Sequence, residues 1–186
     1  MKNIYLVEHF QRIYKQRKEI KIELWKGKEW QRPSDDKWSW GETYYHLYLM
    51  MRWFRRLSKI YIPLAIPFAT LRKNKPYPVH STNIYKQYQL EKKKPMKAPF
   101  ILVPPKDQVD FGWLVNELDK ETKQIEKIVL KLSDDVAGHI RYIDPLASNP
   151  NLIESIHLLG IHEKHHFSLC EKYYNVIDSN KNKYNH

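Results

Sequence analysis

His162 and His166 stand four residues apart in His162-Glu163-Lys164-His165-His166. On a helix that spacing puts the two imidazoles one turn apart, with Cβ atoms about 6 Å from each other. Both rings can then reach one metal ion at the ~2.0–2.1 Å typical of Zn–N bonds. Leu159, Leu169 and Tyr173 share their face, which turns the pair inward, while His165 lies off this face and is expected outside or as a support for the ligands. A third imidazole comes from His46, which keeps helical phase with Thr43, Met50 and Phe54, with Glu42 one turn earlier. Three neutral imidazoles would leave a divalent ion cationic, with positions open to water or a thiolate. Zinc, nickel, iron, manganese and copper all accept such a donor set.

The same pentapeptide fits H-E-x-x-H, the zinc-protease signature in which Glu163 would serve as general base. The rest of that signature is missing. Leu169 and Lys172 stand where the extended form needs glycine and histidine, and only twenty residues follow His166. His46 therefore completes the set better than any downstream residue. Glu42, Glu163 and His165 remain as groups that could close or support the site. Cys170, the single cysteine, reads as a small core residue, and Tyr173 likewise as core. His139 is a loop residue that could line the pocket.

Apolar periodicity supplies the elements that must carry these residues. Leu6, Phe10, Ile13, Ile20 and Leu24 step by threes and fours, with Arg17 the one polar interruption, and predict a helix over about 3–25. A second helix is predicted over 39–62. It opens at a Ser39/Glu42 capping box, carries Thr43, Leu47, Met50, Phe54, Leu57 and Tyr61, and ends at Pro63 and Pro67. Phe111, Leu114, Leu118, Ile125, Ile128 and Leu132 mark a third over 107–133, followed by a loop from Asp134 to Ser148. Asn149 as N-cap and Pro150 at the first helical position open a fourth over 150–178. Between the second and third lies an irregular stretch, 63–106, holding eight of the eleven prolines. Its Tyr77, Tyr85, Tyr88 and Phe100-Ile101-Leu102-Val103 predict packing over the other elements, with one short helix near 83–90. The expectation is an all-α four-helix bundle of one domain, 1–186, with a long Pro-rich connection between helices 2 and 3.

Composition narrows the function classes. The formal charge is +11, but residues 71–97 hold eight cations (Arg72, Lys73, Lys75, Lys86, Lys92, Lys93, Lys94, Lys97) against Glu91, a net +7. A basic surface on one connection suits a small anionic ligand better than nucleic acid, which would need a stripe along a groove-reading element. One cysteine excludes an internal disulfide and fits a reducing compartment. No apolar run approaches the ~20 residues of a membrane span, and charge appears within eight residues of Met1, so a cytoplasmic protein is expected.

Trp38-Ser39-Trp40-Gly41-Glu42-Thr43-Tyr44-Tyr45-His46-Leu47, set beside the His162–His166 pair, resembles the DinB-like superfamily, which includes the YfiT-type bacillithiol transferases. The resemblance rests on the tryptophan-serine start of the second helix, the histidine two turns on, the H-x-x-x-H pair, and Asp144-Pro145 ahead of the last helix. It covers 1–62 and 107–178 and departs at Leu169, where relatives often carry glutamine. It implies a four-helix bundle and metal ligation by His46, His162 and His166, with water in open positions. It also implies a metal-dependent transferase or isomerase that activates a low-molecular-weight thiol. A metal-activated hydrolase and a non-catalytic metal-binding bundle are the competing expectations. A small, anionic substrate and a homodimer complete the picture.

Overall fold

A computed structural model describes residues 2–85, 98–144 and 147–183. Its helices are α1 (Ile4–Glu19), α2 (Trp40–Thr70), α3 (Phe111–Val129), the short α4 (Asp134–Ala137) and α5 (Leu152–Lys183), with 3-10 turns at Ile22–Trp25 and Phe100–Leu102. Among the described residues there is no strand, only an isolated bridge between Arg141 and Asn151. The four long helices form an all-α bundle in which α2 runs along α3, α1 along α5, and α2 also meets α5. One apolar cluster fills the space between them: Leu6, Phe10 and Ile13 from α1, Tyr44 and Leu47 from α2, Leu114, Leu118 and Ile125 from α3, and Leu152, Ile156 and Phe167 from α5.

α1 is shorter than its periodicity predicts. The backbone turns extended at Ile20, and Leu24 lies exposed instead of continuing the stripe. The break lets Trp25 fold back onto Tyr174 and Trp40, with ring centroids 4.5 and 5.9 Å away. A straight helix would carry that indole past the bundle. Gly41 completes the corner, because a Cβ there would lie 2.6 Å from the Trp30 ring.

α2 starts where predicted. Ser39 Oγ accepts from the Glu42 amide at 3.1 Å and the Glu42 carboxylate accepts from the Ser39 amide at 2.9 Å. It does not end at Pro63 but passes through both prolines to Thr70. Pro63 and Pro67 share one exposed face, so the carbonyls they leave unpaired meet water, while Ile62 and Ala69 stay buried on the other side. The buried face also differs from the expected one. Tyr44, Tyr48, Met51 and Ser58 are buried, whereas Leu57 faces solvent.

Two further boundaries shift. α3 begins after Asp110, whose side chain caps the Trp113 amide at 2.6 Å, and the expected loop from Asp134 contains α4. Asn149 is not the cap of the last helix; it takes a left-handed φ of 54° in the preceding turn. Asn151 does the capping, accepting from the Glu154 amide and donating its own amide to the Glu154 carboxylate, both at 3.0 Å. α5 then runs on to Lys183, beyond the expected end. In the connection, Leu102 packs inward but Phe100, Ile101 and Val103 are exposed. The short helix expected near 83–90 falls mostly outside the described residues, as do Tyr88 and the lysines at 86 and 92–97.

Candidate metal centre

The inward faces of α2 and α5 bring His46, His162 and His166 together. One ligand-capable nitrogen from each lies within 4.8 Å of the others. His46 and His162 are buried and His166 is half-buried. Ring centroids are 5.0 Å apart for His46 and His162, and 4.6 Å for both pairs involving His166.

The tautomer of His46 is fixed by the connection. Its Nδ1–H donates to the Leu102 carbonyl at 2.7 Å, so the Nε2 lone pair points inward, at the His162 Nε2 2.9 Å away. Two nitrogens on one ion at ~2.05 Å lie about 2.9 Å apart at a right angle and about 3.3 Å apart at the tetrahedral angle. The pair therefore already stands at a ligand–ligand separation, and a proton shared between the rings would compete for the same place. Burial lowers the pKa of all three imidazoles, with neighbouring histidines adding to the effect at His162 and His166. Neutral rings with free lone pairs are the form a metal needs.

Neither nearby carboxylate is free to join. Glu163 is fully buried and takes two of the guanidinium contacts of Arg17, at 2.9 and 2.6 Å, plus Gln16 at 3.0 Å. Glu42 is held by Arg32 and by its own capping box. Glu163 is thus not available as a protease-type general base, since it already has its cation. Cys170 is buried against Thr43 Oγ1 at 3.1 Å, and burial pushes its thiol up to about 12, far from a nucleophile's range. His139 is tied to the Lys75 carbonyl at 3.1 Å and to the Tyr77 ring, apart from the three-histidine group. Tyr173 is half-exposed beneath the Lys37 ammonium rather than packed in the core.

Aromatic rings frame the centre. Trp38 stacks on His166 (5.9 Å, 16°) and leans on His46 at 4.9 Å; Tyr85 stacks on His165 and meets His162, both at 5.0 Å. Periodicity placed neither Leu102 nor Tyr85 against the histidines, although both were expected to pack over the other elements. It also missed a second histidine group, His9, His80 and His157.

The sequence model of the DinB superfamily matches residues 22–170. The chain belongs to the DinB superfamily. The match takes in both arms of the histidine centre and the whole connection between them. No curated protein and no solved structure matches the chain. Within this DinB-superfamily bundle, the all-nitrogen donor set can hold a metal ion; no described helix is long and apolar enough to cross a membrane.

Proposed function

We propose that His46, His162 and His166 hold one divalent transition metal, and that the protein is a metal-dependent transferase or isomerase activating a low-molecular-weight thiol. The observation that carries this reading is that both flanking carboxylates, Glu42 and Glu163, are committed to arginines, so among the described residues the donor set is three imidazoles, which leaves coordination positions open. A divalent ion so held lowers the pKa of a thiol or water bound to it. The chain's own residues set the geometry. The Leu102 carbonyl orients His46, the Arg17–Glu163 pair fixes α5 behind the ligands, and Trp38 and Tyr85 restrict approach to the rings. The thiol is suggested by the family rather than by any side chain, and an acidic thiol would suit the basic connection. With Glu42 and Glu163 committed to arginines, the site suits a nucleophile that arrives as a readily ionised thiol better than hydrolysis by water.

Elemental analysis of purified His46→Ala and His166→Ala should show loss of an ion that the wild type carries. Unchanged metal content in both variants rules the site out. Conjugation of a small thiol to an electrophile by the metal-loaded wild type, lost in the same variants, tests the reaction. If every thiol tried gives no turnover, the centre is a binding or structural one.

A further inference from the structure

We infer that His9, His80 and His157 form a second metal site, separate from the first and taking a divalent transition ion of the zinc, nickel or copper class. The three residues come from α1, from the connection after α2, and from α5, and one ligand-capable nitrogen of each lies within 4.8 Å of the others. His9 and His157 stack with centroids 4.6 Å apart and planes 18° apart, and His80 stands edge-on to both at 5.4 and 5.3 Å.

The decisive atom is His9 Nδ1. His9 is 1% exposed, and its Nε2–H donates to the Val79 carbonyl at 2.9 Å. The lone pair is therefore on Nδ1, which is buried with no hydrogen-bond partner. A buried acceptor without a partner is costly unless something fills its place. A cation coordinated by the neighbouring imidazoles does so. The arrangement repeats that of His46: one ring nitrogen anchored on a carbonyl of the same connection, the other left facing two histidines.

His80 is exposed, and a cleft of about 370 Å³ opens beside the group, lined by His9, His157 and three cations, Arg12, Lys15 and Lys164, against one acid, Glu19. An ion there has a route in and room for an anionic co-ligand. Burial lowers His9, and burial with the neighbouring His9 and His80 brings His157 to about 4, so both rings are neutral at physiological pH. At His157 an ion competes with an existing bond, because the Ser81 amide donates to Nδ1 at 2.9 Å. The ring joins the site by turning about its Cβ–Cγ bond or by releasing that amide. Ser81 is half-exposed, so water takes the amide over. His157 and His162 are five residues apart on α5, which sets the two groups on different faces of that helix.

The test is metal stoichiometry after dialysis against zinc, with cobalt absorption as a second readout of nitrogen ligation. The wild type should carry two ions per chain, and His80→Ala, whose ring is exposed and whose loss spares the core, should carry one. His157→Gln should likewise lose one ion. His46→Ala/His166→Ala should retain one ion, and adding His80→Ala to it should abolish uptake. Equal zinc content and cobalt spectra in wild type and His80→Ala overturn the proposal, as does a folded His46→Ala/His166→Ala that binds nothing. Failure of the first centre looks different: His46→Ala/His166→Ala then matches the wild type while His80→Ala still loses an ion.

Discussion

At the scale of single residues the centre is a problem in keeping imidazoles neutral. His46 and His162 are buried, His166 half so, and burial lowers the pKa of each in the folded chain. Because the folded values lie below the unfolded ~6.5, unfolding takes up protons, and stability falls with pH from about 6.5 downward. Each group contributes up to about 1.4 kcal/mol per pH unit in that range. Metal-free protein should therefore lose denaturant resistance between neutral pH and the folded pKa values, and His46→Gln should flatten the loss. A metal-free midpoint that does not move with pH in that range contradicts the burial argument. The positions of these three rings were legible in the sequence because helical phase relates each to apolar neighbours three and four residues away. What orients them was not. The Leu102 carbonyl reaches His46 from another part of the chain, and a backbone acceptor in an irregular segment has no sequence signature. The second histidine group was missed for the same reason, since His80 sits in that segment and gives His9 and His157 no shared spacing.

At the scale of elements, one polar residue in an apolar stripe explains how α1 and α5 are joined. Arg17 stands where periodicity asks for another hydrophobe, and its side chain is only 9% exposed. It grips the fully buried Glu163 and also Asp119 of α3 at 2.7 Å, tying three helices with one guanidinium. Removing one partner strands a buried charge, whereas replacing both with apolar groups does not. Arg17→Met should cost about 3–5 kcal/mol in denaturant unfolding, and Arg17→Met/Glu163→Met much less. The double variant should bind as much metal at the His46 centre as the wild type, since the proposed ligands are His46, His162 and His166; loss of the ion from a folded double variant would assign Glu163 to the coordination sphere. Sequence reasoning located α1 but treated Arg17 as an interruption, because pairing across helices is invisible to periodicity. It ended α2 at Pro63 by the local rule that proline stops helices. Tertiary packing of Ile62 and Ala69 on one side, with both prolines turned to water on the other, overrode that rule.

At the scale of the whole molecule the extended α2 presents a surface that the bundle does not use. Trp53, Leu57, Ile60, Leu64, Phe68 and Leu71 recur at steps of three and four, and all are exposed, from 43% at Trp53 to 86% at Leu71. The stripe spans about 27 Å of helix, the seam spacing of a coiled-coil pair. An exposed apolar stripe along one helix face can pair with its own copy about a two-fold axis, so the occupant we expect is α2 of a second copy. Cations flank it at Arg52, Arg56, Lys59, Arg72 and Lys73, with Arg56 lying over the Trp53 ring at 5.6 Å. Two such faces repel each other electrostatically while their apolar seams attract. Added salt screens the repulsion and leaves the seam intact, so the dimer should tighten as ionic strength rises. Light scattering after gel filtration should find a dimer that salt strengthens, and Ile60→Glu/Leu64→Glu should return it to monomer with metal content unchanged. A wild type that stays monomeric at high concentration and high salt excludes self-pairing. A dimer that salt dissolves places the contact on charged surface instead of this seam.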